Sequence, residues 1–145
     1  RSWCRGAPRV PGPVGVWVTG GIGPGSPGGG GLGRGEVVWG DCGAMRDGWH
    51  GDSAFSMVLR EADDADLALV DVTERAMWAG IAALATGQRV GDVGCAVEDV
   101  AGAEPTQYGV IQEYVGHGIG TAMHQPPEVL NYRTRDRGPR LRPGL

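Results

Sequence analysis

The sequence contains no lysine and a single asparagine, so all 13 of its basic residues are arginine. Together with 28 glycines and 10 prolines, this bias is typical of a GC-rich genome and says nothing about function. The chain also lacks any apolar run near the ~20 residues of a membrane span, and no apolar segment is typical of a signal peptide. These absences predict a protein without a membrane partner.

The chain also has few cysteines and no excess of positive charge. Cys4, Cys42 and Cys95 are odd in number, widely spaced and without a CxxC motif, which favours a reducing, cytoplasmic compartment over a disulfide framework. The net charge of −4 argues against nucleic acid as a main partner. A chain of 145 residues fits one domain, and its start at Arg1 rather than Met suggests a fragment.

Composition divides the chain into two parts. Residues 1–35 hold 13 glycines and five prolines. A segment of this composition can bury too little apolar surface to offset the conformational entropy lost on ordering. This segment is predicted to be divergent or disordered, with a short strand over Val14–Thr19 as its only regular element. Residues 36–145 are predicted to form the folded domain.

The dipeptide Asp47-Gly48 predicts a hairpin over roughly 37–58, because it is the favoured two-residue turn and β-prone residues flank it. This loop places Asp52 opposite Gly43, two residues from Asp41 and on the same face. Diagonal neighbours of this kind are ~7–8 Å apart at Cα, and two acids there repel unless a cation joins them. The pattern therefore predicts a site for one ion or a metal pair, with ordinary solvated acids as the alternative.

The segment Glu113–Pro127 carries two of the three histidines, His117 and His124, seven residues apart. Glycines at 116, 118 and 120 disfavour a helix and indicate extended or looped backbone that allows a close approach. Histidines held in this way indicate metal or proton chemistry, and two solvent-exposed loop histidines are the alternative.

Apolar residues at three- and four-residue intervals predict helices over Asp63–Ala85 and Asp92–Ala101. Met77 and Trp78 are predicted to lie in the core. The remaining expectations are a strand over Tyr108–Val115 and a solvated, arginine-rich loop over 133–142. The order of hairpin, two helices and strand indicates an α+β fold.

Four motifs, in order and with matching spacings, resemble bacterial type I methionine aminopeptidase. They are Asp41-Cys42-Gly43-Ala44, Asp47-Gly48-Trp49-His50-Gly51-Asp52, Glu113-Tyr114-Val115-Gly116-His117-Gly118-Ile119-Gly120 and His124…Pro127-Glu128-Val129-Leu130-Asn131-Tyr132. The likeness runs from about Gly35 to the last residue. Because several motifs agree, it is a more specific signal than one glycine motif alone.

The resemblance implies a partial pita-bread fold, with two similar α+β halves around a two-metal centre, and residues 36–145 as part of that catalytic domain. The implied activity is metal-dependent removal of the initiator methionine from nascent peptide N-termini by a cytoplasmic monomer, with the ribosome as a candidate partner. Metal ligands fall on Asp41, Asp52 and His117, and His124 is implied to be catalytic and to bind substrate. The implied cofactors are two divalent ions, and the donors suit Co, Mn, Fe or Zn.

The sequence also departs from this family pattern. A His-Gly-Ile-Pro segment whose histidine aids catalysis is replaced by Gly20-Gly21-Ile22-Gly23-Pro24. Two glutamates, one a metal ligand and general base and the other a bridging ligand, are expected after Leu145, so three of five ligands lie within residues 1–145. We therefore expect the 145-residue chain to be a fragment that is inactive or nearly so. His50 is expected to be a structural residue of the hairpin and not a ligand.

Two alternatives remain open at this stage. A proline-specific aminopeptidase or dipeptidase would share the fold and ligands, but the hairpin motif and its short spacing to the histidine segment favour the methionine-specific group. A non-catalytic pita-bread relative that binds peptides is favoured by Gly20 and by the glutamates absent from residues 1–145. The presence of Asp41, Asp52 and His117 favours an enzyme.

Overall fold

The computed structural model describes the backbone of residues 14–18 and all of residues 34–145. Its elements are β1 (Val14–Val18), β2 (Val37–Arg46), β3 (Trp49–Val58), α1 (Asp64–Thr86), α2 (Gly91–Ala103), β4 (Gly116–Gly118) and β5 (Gln125–Val129). The strands form two antiparallel sheets, with orders β1-β2-β3 and β4-β5. The expected α+β class is confirmed.

The expectation of a strand over Val14–Thr19 is confirmed for Val14–Val18, which pairs antiparallel with β2. Thr19 lies outside the described residues. The other expectations for residues 1–35 also concern residues outside the described part of the chain. They are those for Cys4, for the Gly20–Pro24 segment and for disorder in residues 1–13 and 19–33.

Two compact units make up the chain. The first contains the described residues up to Val70 together with Ile119–Met123, and it includes the three-stranded sheet. The second contains Asp71–Gly118 and His124–Leu145, and it includes α2 and the two-stranded sheet.

The predicted hairpin is confirmed, with Asp47 and Gly48 as its two-residue loop. Their φ angles are +52° and +84°, the left-handed values that this turn requires and that Asp and Gly tolerate best. The resulting register pairs Gly43 with Asp52 and Asp41 with Ala54, as the sequence predicts.

Both predicted helices form, with ends within two residues of the predicted ones. The Asp63 carboxylate accepts a hydrogen bond from Ala65 N at 2.6 Å and caps α1. The helix ends at Thr86, and Gly87 N donates to Ala83 O at 2.7 Å. None of the described helices is both long and apolar enough to cross a membrane.

The core position expected for Met77 and Trp78 is wrong, because their residues are 46% and 57% exposed. In its place, α1 buries a row of small residues four apart, namely Val72, Ala76 and Gly80. An added Cβ on Gly80 would lie 3.1 Å from Val97 and 3.2 Å from Val93, both on α2. Small side chains thus permit a close approach of the two helices that the large residues would prevent.

The strand expected over Tyr108–Val115 is also wrong. That segment is irregular, and the strand begins one residue later as β4. β-propensity depends on context because a strand needs a partner, and the partner β5 pairs with Gly116–Gly118 instead. The expectation that the glycine-rich histidine segment is extended or looped is confirmed.

The arginine-rich segment 133–142 has no helix or strand, as predicted, but it is anchored to the start of α2. Gly91 N donates to Arg137 O at 2.8 Å and Leu141 N donates to Gln88 O at 3.0 Å. The Asp92 carboxylate accepts from Gln88 N at 2.7 Å and from Arg89 N at 3.0 Å, and it forms an ion pair with Arg137. One carboxylate therefore organises both the loop before α2 and the C-terminal segment.

Replacing Asp92 with alanine is expected to lower the free energy of unfolding by about 2–3 kcal/mol, because two amide donors and one guanidinium lose a mostly buried acceptor. Asp92→Asn keeps one oxygen for the amides and should lose less. Urea unfolding followed by circular dichroism measures both variants. Equal losses for the two variants, or no loss for Asp92→Ala, would contradict this role.

Candidate metal centre

Two carboxylates lie on one face of the β2–β3 hairpin. Asp52 is opposite Gly43, and Asp41 is two residues from Gly43, so all three side-chain positions point the same way. Hydrogen-bonded and non-hydrogen-bonded pairs alternate along an antiparallel ladder, and Arg46 and Trp49, which flank the two-residue turn, are a hydrogen-bonded pair. Counting from them, Gly43 and Asp52 are a non-hydrogen-bonded pair, in which side chains approach most closely. The predicted shared face is therefore confirmed, and it presents two oxygen ligands of the kind that divalent metals bind.

His50 lies on the same face, two residues from Asp52. Its backbone N donates to Gly120 O at 2.7 Å, which fastens the outer edge of β3 to the loop between the two other histidines. Its ring Nδ1 is buried without a hydrogen-bond partner among the described residues. The structural role expected for His50 agrees with the backbone contact, but no sequence pattern indicates the buried nitrogen.

The other two histidines meet at the β4–β5 sheet. The register between β4 and β5 shifts between His117 and Gly118. His117 pairs with Glu128 and Gly118 pairs with Gln125, so β5 holds two extra residues there. A bulge of this kind redirects the side chains beside it. The rings of His117 and His124 contact each other with centroids 4.4 Å apart and planes at 77°.

One hydrogen bond defines the tautomer of His117. Its Nδ1 lies 2.9 Å from the carbonyl oxygen of Gly118. A carbonyl can only accept, so this contact requires a proton on Nδ1, and in the neutral ring Nε2 then carries the lone pair. Metal-binding histidines commonly have their other nitrogen bonded to a backbone carbonyl in this way. The ring is thus prepared to act as a ligand through Nε2.

Glycine at 116 and 118 is required by the neighbouring strand. An added Cβ on Gly118 would lie 2.7 Å from Gln125 O, and one on Gly116 would lie 3.1 Å from Val129 O. The close approach that the glycines predict is therefore made by the backbone of β5.

The predicted ligands are placed in two groups. Asp41 and Asp52 share the hairpin face, and His117 contacts His124. Within residues 34–145, no three side chains of His, Cys, Asp or Glu are grouped closely enough to hold an ion together. The donor types and the tautomer of His117 fit a divalent metal, and the joint ligand set of Asp41, Asp52 and His117 stays a prediction.

Comparison of the sequence with models of known protein families shows which family the chain belongs to. The model of metallopeptidase family M24 matches residues 11–145. The chain belongs to this metallopeptidase family. A family of metallopeptidases implies divalent metal ions, in agreement with the oxygen and nitrogen donors described above.

Similar curated proteins are methionine aminopeptidases. Methionine aminopeptidase 1 of Mycobacterium tuberculosis is 42% identical over 117 residues, which cover 78% of this chain and 44% of that protein. Methionine aminopeptidase 1 of Bacillus subtilis is 36% identical over 121 residues, covering 83% of this chain and 48% of that protein. The chain thus spans about half the length of these relatives, and the resemblance stated from its motifs is confirmed.

Solved structures confirm the fold. The methionine aminopeptidase of Thermotoga maritima superposes with a TM-score of 0.79 at 31% identity, covering 90% of this chain and 52% of that one. The prolidase of Pyrococcus furiosus superposes with a TM-score of 0.62 at 17% identity, covering 77% of this chain and 32% of that one. The second likeness shows the fold alone. The expected partial pita-bread fold is confirmed.

Proposed function

We propose that this chain supplies ligands and a substrate-binding histidine to a metal-dependent aminopeptidase that removes N-terminal methionine. The observation that carries the proposal is the 42% identity to a methionine aminopeptidase over 117 residues. The paired carboxylates of the hairpin and the oriented imidazole of His117 support it, because they are the donors that such chemistry needs.

In this proposal, Asp41 and Asp52 hold the metal through carboxylate oxygens and His117 holds it through Nε2. Two divalent ions of Co, Mn, Fe or Zn would supply an activated water and polarise the scissile carbonyl. His124 is exposed beside His117, so its ring can reach a bound peptide and stabilise the reacting carbonyl oxygen. The substrates are nascent peptide N-termini in the cytoplasm, with the ribosome as a candidate partner and a monomer as the working form.

The test uses a joined protein, in which residues 1–145 are fused to the part of the Bacillus subtilis relative that follows its matched region. Purified with Co²⁺, the joined protein is expected to release methionine from peptides with a small second residue and to act poorly on bulky second residues, because a closed pocket resists overpacking. Release is measured by chromatography on a matched peptide set, with and without a chelator.

Residues 1–145 alone are the control and are expected to release no methionine above background. The loss of a general base typically lowers the rate by ~10²–10⁴, and the resemblance places that base outside these residues. Preferential release of residues that precede proline would favour the proline-specific alternative. Failure of the joined, folded protein to cleave any peptide would favour the non-catalytic one.

A further inference from the structure

The contact between His117 and His124 has a consequence for the orientation of His117. The hydrogen bond from Nδ1 to Gly118 O joins the ring to the carbonyl of the very next residue, at 2.9 Å. Rotation of the imidazole about its last side-chain bond would break this bond and exchange the positions of the ring atoms. A group that packs against the ring and resists this rotation therefore helps to keep Nδ1, and not a ring carbon, beside Gly118 O.

His124 is the aromatic neighbour that the structure places there. The two rings are nearly perpendicular, at 77°, with centroids 4.4 Å apart, an edge-to-face arrangement that is favoured for aromatic pairs. The backbone of both histidines is held by the β4–β5 sheet. His117 lies in β4, and His124 directly precedes Gln125 of β5, which pairs with Gly118. His117 is half-buried and His124 is exposed, so one ring is enclosed while the other remains accessible.

We propose that His124 is a positioning residue for His117. Its ring holds the His117 imidazole in the orientation in which Nδ1 donates to Gly118 O and Nε2 is the nitrogen that faces a metal ion. This inference rests on the proposed function for the role of His117 as a ligand, and it adds to the substrate contact proposed for His124. The contact needs an aromatic ring at position 124 but does not need the nitrogens of that ring.

Two substitutions separate the ring contact from the chemistry of the imidazole. His124→Phe keeps an aromatic ring of similar width and removes both nitrogens, whereas His124→Ala removes the ring. The measurement is ¹⁵N NMR of the His117 imidazole in the metal-free 145-residue chain, which reports which ring nitrogen is protonated. The wild type and His124→Phe are expected to show one tautomer, protonated at Nδ1, and His124→Ala a mixture of the two.

Co²⁺ titration of the joined protein by calorimetry is the second readout. Partners that orient a metal-binding histidine typically contribute roughly 10–100-fold to metal affinity, so His124→Ala should weaken Co²⁺ binding by about that factor and His124→Phe much less. Rescue by phenylalanine is the decisive feature, because loss of an imidazole ligand at 124 would affect both variants equally.

Several results would overturn the proposal. They are a tautomer mixture or Nε2 protonation in the wild type, an unchanged tautomer in His124→Ala, or a phenylalanine variant that behaves like the alanine variant. A mixture of tautomers or Nε2 protonation in the wild type overturns the proposal even if His124→Ala does not fold. Absence of Co²⁺ binding with the expected tautomer pattern would count against the proposed function alone, because the NMR readout needs no metal.

Discussion

Asp52→Asn in the joined protein is expected to weaken Co²⁺ binding by at least roughly a hundredfold. Removal of a group that only supports a ligand already costs roughly 10–100-fold in affinity, and Asp52 is proposed to be a ligand itself. Asparagine keeps the size of the side chain and its oxygen but loses the negative charge that a divalent cation requires. Isothermal titration calorimetry at fixed pH and salt measures the change.

The control is Asp47→Asn, a change of equal charge in the same hairpin. Asp47 occupies the turn with φ of +52°, a conformation that asparagine adopts as readily as aspartate. This variant should bind Co²⁺ as the parent does. An equal loss in both variants would show that the total charge of the hairpin matters more than the position of Asp52.

Gly94→Ala is expected to destabilise the chain by about 1–3 kcal/mol or more, the usual effect of overpacking. An added Cβ would lie 2.5 Å from Tyr132 O and 2.7 Å from Leu130 O, and both are backbone atoms. Their segment cannot withdraw easily, because Arg133 N donates to Glu98 on the same helix at 3.1 Å. Thermal unfolding of the 145-residue chain measures the loss as a lower Tm.

Gly102→Ala, in the same helix, is the matched control. Apart from the helix's own nearby backbone, no atom of the described residues lies within 4 Å of an added Cβ there, so alanine should stabilise the helix by ~0.5–1 kcal/mol through its lower backbone entropy cost. Opposite signs for two identical substitutions in α2 are thus expected. Destabilisation at both positions would mean that glycine serves a need other than the close approach of residues 130–132.

Local signals explain why much of the fold follows from the sequence. Asp47-Gly48 determines its own turn and, through the period of two in a strand, the shared face of Asp41 and Asp52. Asp63 and Gly87 likewise mark the ends of α1 through contacts with residues only two and four positions away. Such interactions are complete within a short segment, so the residue types alone predict them.

The expectations that were wrong depended on distant partners. Met77 and Trp78 follow the helical period, but the close contact with α2 selects the small residues on the other side of α1. The Tyr108–Val115 segment is β-prone, but β5 pairs with the residues that follow it. The contact between His117 and His124 depends on the bulge in β5, for which residue spacing gives no signal.

The position of a bound metal decides whether Asp41, Asp52 and His117 are ligands of one site. Crystals of the joined protein grown with Zn²⁺ would locate the ion by anomalous scattering at the zinc edge. We expect a peak ~2.0–2.2 Å from carboxylate oxygens of Asp41 and Asp52 and from Nε2 of His117, the usual lengths of zinc bonds to oxygen and nitrogen. A zinc peak bonded to other side chains, such as Cys42 or His50, with none at Asp41 and Asp52, would contradict this expectation.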